Sequence, residues 1–471
     1  MKSTLPLGKK NLPKALPLRK LIGPSFIILG LGLGSGEVIL WPYLSSNYGL
    51  GIIWGMVAGI TMQFFINMEV ERWALINGES VFVGFARMLK WLPAWFILST
   101  FLGFGWPGIG LAGATLLSEV FGLQETTIAG LGGTNMVGII VFLAIGGILS
   151  IGKVLYQTVE TLEKYLIMIG VPFIMIITFY LADTADFVAL GRGIIGQGEG
   201  FMFLPLGIVI GQFLGAIAYA GAGGNLNLAQ SCYIRDKGYG MGIYADRITS
   251  LITSKESKKK FSLSGNTFPT NKKNLARFKE WWININLEHV IIFWLLGLLT
   301  MLTLSLLAYV TAYGLEGNEA GINFVVNEAL AIGQRTLPCI GIAFLFVVGV
   351  MLLATQLTVL DSTSRIMTEN FLLLRSKKTY RVSVVYYSIL WIQILFGITV
   401  FTFAFDQPFE LIVLGAIINA FTMFVYTGLL LFLNNRYLAK QLRPSAIRNG
   451  ILSTTFIFLG FFCTLTIISL L

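Results

Sequence analysis

Two stretches of this 471-residue chain put polar chemistry where an apolar segment should have none. Gly30 to Glu37 reads G-L-G-L-G-S-G-E in the middle of an apolar run over 22–44, and Ala220 to Asn227 reads A-G-A-G-G-N-L-N after Gln212 and Tyr219 in a second run. A glycine in a helix interior costs ~1 kcal/mol and an acid at the bilayer centre roughly 2.5 kcal/mol or more, so neither stretch suits a plain anchor. The chemistry on offer is cation binding. Glu37 supplies the charge, and neutral oxygens come from Ser35, Asn225, Asn227 and the backbone around Gly34, Gly221 and Ala222. The bland alternative for Glu37 is an acid at the amino-terminal end of a half-helix, favoured there by the macrodipole. Gln356 and Asn419 are further amides inside apolar runs and candidates for the same site, though an amide of this kind alone is more often interhelical glue.

The elements that carry these residues are membrane helices. The chain is 55% hydrophobic and 12% charged, against about 25% charged in soluble domains. Apolar spans fall at 22–44, 50–68, 93–121, 135–152, 161–181, 203–233, 286–313, 337–360, 382–405, 409–433 and 447–471, which predicts eleven helices. With the amino-terminus placed in the cytoplasm, 31 of the 33 Lys and Arg fall on the inside segments, and only Arg192 and Arg335 lie outside them. The net charge of +10 is thereby explained by topology and attraction to anionic lipid, without nucleic acid. A basic tail over 1–21 and a basic loop over 235–285, including Lys258-Lys259-Lys260, are expected on that side, and the carboxy-terminus on the other. The first run is too long for a signal peptide and is expected to be retained.

An odd number of crossings separates the two glycine-rich stretches. Helices 1 and 6 are five apart, so helices 1–5 (22–182) and 6–10 (203–433) read as two halves in inverted topology with one broken helix each, and helix 11 (447–471) as an addition. Irregular backbone at membrane depth must line a cavity within protein, so freed carbonyls are expected around the break in helix 1.

Two groups of charges border the inner side. Glu69, Glu71 and Arg72 end helix 2, and Asp361, Arg365 and Glu369 follow at four-residue spacing beyond helix 8. Each reads either as a solvated, salt-bridged helix end or as an inner gate. His289, the only histidine, is expected at the interface and not as a ligand. Gly51, Gly55 and Gly59 form a packing face on helix 2. Cys232, Cys339 and Cys463 are scattered, giving no disulfide or zinc pattern, and no catalytic Ser/His/Asp or Cys/His set can be assembled; no enzyme and no cofactor are expected.

These residues resemble the Nramp divalent-metal transporters of the amino acid-polyamine-cation superfamily, from helix 1 to helix 10. The similarity rests on Gly23-Pro24 opening helix 1, E-V-E-R-W-A-L-I-N-G-E-S over 69–80, Asn225-Leu226 in helix 6, A-T-Q-L-T-V-L-D-S-T-S-R over 354–365, and Asn419 followed by L-F-L-N-N-R-Y-L over 431–438. The resemblance implies an all-α, leucine-transporter-type inverted-repeat fold and a secondary transporter in the plasma membrane. It also implies where the cargo differs. The family's metal-binding aspartate falls on Gly34, its asparagine on Glu37 and its methionine on Ala222, and the family's proton-transfer acids and histidines are missing, with Gly105-Trp106-Pro107-Gly108 in helix 3. Without the thioether, an oxygen-only site with Glu37 and Asn225 as metal ligands suits magnesium or manganese, carried without the family's proton coupling. The alternatives are an amino acid or organic cation on the same fold, or a sensor or scaffold that no longer transports.

Overall fold

Ten helices in the described residues are long and apolar enough to cross a membrane: α1 (Pro24–Tyr48), α2 (Leu50–Asn77), α3 (Leu92–Val120), α4 (Gly133–Ile151), α5 (Val159–Leu181), α7 (Lys272–Ala312), α8 (Pro338–Leu374), α9 (Val382–Thr402), α10 (Pro408–Tyr437) and α11 (Ala446–Ser469). The eleventh crossing is split. Its halves, α6a (Ile210–Ala218) and α6b (Leu226–Lys237), have 9 and 12 residues, and neither alone reaches the ~20 needed to span hydrocarbon. The computed structural model describes residues 7–18, 21, 24–128, 130–151, 155–245, 263–375, 381–403 and 407–470; Gly23 and Lys258-Lys259-Lys260 lie outside these.

Helix 6 breaks as its glycines demand. Gly223 and Gly224 take φ of 72° and 45°, a left-handed backbone that residues with a Cβ rarely adopt. Helix 1 behaves differently from expectation. It does not unwind: the α-helix Pro24–Ser35 passes into a π-helical turn, Gly36–Leu40, and resumes as Trp41–Tyr48. The carbonyls around Gly34 and Ser35 are therefore not freed by a break.

The reason is that the glycines of α1 serve close approach on two opposite faces. Gly30 and Gly34, one turn apart, meet Glu163 of α5 and Thr355 of α8, whose hydroxyl donates to the Gly30 carbonyl at 2.9 Å. Gly32 and Gly36 meet the backbone of Gly221 and the carbonyl of Tyr219, in the break of helix 6. An added Cβ would collide with Thr355 at Gly34 and with the Tyr219 carbonyl at Gly36, would displace the Glu163 carboxylate at Gly30, and would crowd the Gly221 backbone at Gly32. α8 also packs against both halves of α3 and against α9, so it lies at the centre of the bundle.

Three further elements depart from the expected boundaries. α3 is interrupted between Leu92–Phe104 and Gly108–Val120, where Pro107 can donate no hydrogen bond. α7 starts at Lys272, well before 286, because Asn271 caps it by accepting from Asn274 N at 2.9 Å; the expected loop over 235–285 is shorter at both ends. The described part of the basic tail is a strap. Gly8–Lys9 pairs in parallel with Asn266–Thr267, and the carbonyls of Leu12, Pro13 and Leu16 accept from Arg277, Trp281 and Asn284 of α7 at 2.5, 3.1 and 3.0 Å.

Gln63 of α2, fully buried, closes the break in helix 6 from both sides. Its Nε2 donates to the carbonyls of Ile217 and Ala218 at 3.3 and 3.0 Å, and its Oε1 accepts from Gly223 N at 3.0 Å and from Asn227 Nδ2 at 3.1 Å. Gln63→Leu keeps the shape but orphans several buried backbone groups at ~1–3 kcal/mol each, so a loss on the order of 3 kcal/mol or more is expected. Thermal unfolding of the purified protein in detergent checks it: a melting temperature equal to wild type would show that Gln63 does not hold the break.

Candidate functional site

Glu37 lies in the first turn of the π segment of α1 and is fully buried. Neither carboxylate oxygen has a hydrogen-bond partner among the described residues. It faces α7 at Gly297, where an added Cβ would stand 3.6 Å from Glu37 Oε1. Gly297 itself follows a second π-helical stretch, Val290–Leu296, that interrupts α7. A π turn widens a helix locally and is common at functional sites, and here two of them adjoin one bare carboxylate.

The neutral candidates sit around the break in helix 6 and face α2, α3 and α10. Asn225 donates to Ser99 and Thr100 of α3 at 2.9 and 2.8 Å. Asn227 donates to Gln63 and to the Tyr426 hydroxyl at 3.1 and 3.0 Å. Asn419 donates to the Gly103 carbonyl and to the Tyr219 hydroxyl, both at 2.9 Å. In each case the amide nitrogen is engaged, and the oxygen has no partner among the described residues. Gln356 is used the other way: its oxygen accepts from Gly110 N at 3.0 Å. Gly221 and Ala222 are buried within the break, Ser35 is buried on α1, and Gly34 is occupied by Thr355. Between α3, α6, α8 and α10 remains a cavity of about 10 Å³ lined by Gly103, Tyr219 and Gln356, room for about one water. The centre is closed.

Sequence reasoning passed over several partners. Gln63, Ser99 and Thr100 are polar residues inside apolar runs, a signal available but unused. Glu163, within the fifth run, was the clearest: it is fully buried, Thr358 donates to it, and its Oε2 has no partner among the described residues. Gly297 gave no signal.

The charges at the basic end are not solvated. Asp361, Arg365 and Glu369 are buried, and Arg365 donates to both oxygens of Asp361 at 2.9 Å and to Asp236 at 2.6 Å. Arg235 joins Asp236 at 3.1 Å to Glu369 at 2.9 Å, Ser80 also donates to Glu369, and Tyr386 donates to Asp361 at 2.7 Å. α6b is thus locked to α8. On the other flank Arg72 binds Glu69 at 2.6 Å and stacks on Trp282 at 3.9 Å, while Arg448 of α11 reaches Glu69 at 3.3 Å. Glu71 parts from its neighbours and meets Gln230 at 2.6 Å and His289 at 3.5 Å. His289 is fully buried, not interfacial, because Ser25 of α1 meets its Nδ1 at 2.8 Å and Phe64 and Phe293 stack on its ring.

In solved structures this architecture recurs. The chain is similar to a manganese transporter of Eremococcus coleocola, with a TM-score of 0.64 and 14% identity over 98% of this chain and 89% of that one. It is similar to Mhp1, a nucleobase-cation-symport-1 family transporter (0.54, 13%, 98% and 93%), and to MhsT in complex with L-phenylalanine (0.53, 15%, 94% and 98%). The chain has the leucine-transporter-type fold. It is a multi-pass membrane protein, with the split helix 6 as the eleventh crossing of that fold. No protein-family model matches the chain, and no curated protein matches it by sequence. Within the leucine-transporter-type fold, the described residues contain no group of three or more His, Cys, Asp or Glu that could hold a metal.

Two outcomes follow for the basic end. Arg365→Met leaves Asp361 buried without its cation and Asp236 with Arg235 alone, a loss of about 3–5 kcal/mol that should appear as a collapse in folded yield on size-exclusion chromatography. Glu79, in the turn after α2, has its pKa raised from an ordinary 4.5 to about 7 by burial, against the opposing pull of Arg87 at 2.8 Å. The folded state then holds this proton more tightly than the unfolded state, so stability falls as pH rises from about 4.5 through 7. Glu79→Gln should flatten that part of a melting-temperature profile, and an unchanged slope would contradict it.

Proposed function

We propose that this protein is a secondary transporter that moves a small cation across the plasma membrane by alternating access, with Glu37 as the charge that selects it. The observation that carries the reading is Glu37 itself, buried and without a partner among the described residues, within one π-helical segment and facing Gly297 at the end of a second. A carboxylate left bare in hydrocarbon surroundings is costly and calls for a cation. The unengaged oxygens of Asn225, Asn227 and Asn419 support an oxygen-donor site, and Ala222 offers no thioether. Hard divalent ions, magnesium or manganese, fit such donors best, and the likeness to a manganese transporter supports that class. Positive charge concentrated at one end supports a cytoplasmic amino-terminus and an outside carboxy-terminus.

Alternating access would move α1 and α6 against α8, along the glycine faces, and break the ionic lock of α6b to open the basic end. The family's proton-transfer groups are missing, so the cargo's own gradient would drive it. A second reading, an amine or amino acid whose ammonium pairs with Glu37, is favoured by the absence of a three-carboxylate or histidine group among the described residues.

Uptake into liposomes carrying the purified protein separates these readings. Saturable magnesium or manganese uptake is expected, and Glu37→Gln should lower its initial rate by about 100-fold or more. No flux of any divalent ion through folded protein would overturn the metal reading, and competition by amines or amino acids would then decide for the second. A chain that moves neither is a sensor or scaffold.

A further inference from the structure

A cavity of about 630 Å³ that plays no part in the mechanism above opens at the end of the bundle away from the strap. Three segments build it: the turn Tyr48–Gly51 between α1 and α2, the connection from α5 to helix 6, and the end of α7 at Tyr309 and Tyr313. The connection begins as a short helix, Thr184–Ile194, whose Ala185, Val188, Ala189 and Arg192 recur at i, i+3, i+4 and i+7 and so share the face that lines the cavity. Backbone contact holds the walls together. An added Cβ at Gly51 would collide with Gly198, and one at Gly193 with the Leu50 carbonyl. Trp54 Nε1 of α2 donates to the Phe203 carbonyl at 2.7 Å, which fixes the loop beyond Gly198.

We propose that this cavity is a binding site for a free α-amino acid with an apolar side chain, separate from the site at Glu37. The proposal goes beyond the transporter reading and does not need it.

The charges that line the cavity carry it. Asp186 and Glu199 border it together with Arg192, so its wall bears both signs. The acids are grouped: the Tyr309 hydroxyl donates to Glu199 Oε1 at 3.1 Å, and Asp186 also acts on that hydroxyl. The base stands apart. Asp186 and Arg192 are separated by about 9 Å along the axis of one helix, and the Arg192 guanidinium has no hydrogen bond or ion pair within the described residues.

A simple cation in this cavity would meet Arg192, and a simple anion would meet two carboxylates. A zwitterion satisfies both ends. Its carboxylate takes the planar fork of Arg192, and its ammonium takes Glu199, Asp186 and the ring of Tyr309, which stacks on Tyr313 with centroids 4.9 Å apart. Between the charged ends Leu50, Val188 and Ala189 offer an apolar wall to a side chain. The volume falls within the ~300–1,000 Å³ of small-molecule sites.

The experiment is equilibrium binding of tritiated L-leucine to the purified full chain in lipid nanodiscs. The competitors are leucinamide, which lacks the carboxylate, and 4-methylpentanoate, which lacks the ammonium. L-Leucine should bind saturably, and each competitor should displace it about tenfold less well than unlabelled leucine, or worse. Arg192 is exposed, so Arg192→Met orphans no buried group. That variant should bind leucine about tenfold more weakly and leucinamide as before, and Arg192→Lys should recover part of the loss. Glu199→Gln should weaken leucine and leucinamide alike; Asp186 is left intact because its carboxylate accepts from Asp183 N at 2.8 Å in the cap of the short helix. Leucine binding that persists in Glu37→Gln marks a site apart from the centre. No saturable leucine binding, leucinamide as tight as leucine, or wild-type affinity in Arg192→Met would overturn the proposal, and binding lost in Glu37→Gln would put the amino acid at the centre instead. The measurement needs no flux, so a chain that carries no ion would end the transporter reading and leave this site to be decided on its own.

Discussion

Hydrocarbon offers the backbone no hydrogen bonds, and a helix cut at mid-depth must find them inside the protein. That constraint governs the centre of this bundle. Between Ala218 and Leu226 the chain leaves helical geometry, and Gln63 returns what is lost, donating to two carbonyls before the break and accepting from the Gly223 amide within it. One side chain on α2 thereby lets helix 6 exist as two halves, and it also orients Asn227, whose oxygen is left over. Because Gln63 fixes the break, Tyr219 and Gly221 lie where only glycines of α1 can reach them.

The same close approach explains why α1 can hold a carboxylate without unwinding. Two pairs of glycines give α1 two flat faces, one for α5 and α8 and one for helix 6, and the extra residue of the π turn is accommodated where Gly36 meets the Tyr219 carbonyl. Glu37 follows directly and is turned toward α7, where Gly297 leaves it space. A movable contact between glycine faces is soft, since it involves few interdigitating side chains. The ionic lock of Arg235, Asp236, Asp361, Arg365 and Glu369 is the opposite: buried, strong when intact and costly when any partner is missing. The bundle thus combines a centre packed on glycine faces with one end tied by buried ion pairs.

Much of this was legible in residue order. Apolar length and basic asymmetry gave eleven crossings, and the glycines of 220–224 gave the break in helix 6, because a left-handed backbone at Gly223 and Gly224 is a local property. The form of helix 1 was not legible. Alternating glycines at 30–36 are compatible with unwinding and with tight packing, and the choice belongs to Tyr219, Thr355 and Glu163, all far away in sequence. Of the amides read as ligands or glue, Asn225, Asn227 and Asn419 have their nitrogens engaged by neighbouring helices and three oxygens left over, whereas the oxygen of Gln356 accepts from Gly110.

The sequence by itself determined that this is a membrane protein with a split helix 6 and an acid inside an apolar run, since hydropathy and glycine conformation act over short range. Only the tertiary structure decided which charges are buried. In the chain Glu71 and Asp361 read as helix ends and His289 as interfacial; they become interior because Gln230 of α6b and Ser25 of α1 pack on Glu71 and His289, and Tyr233 of α6b and Tyr386 of α9 pack on Asp361. Burial is a property of what packs over a residue, and most of the packing partners here come from segments far away in the chain.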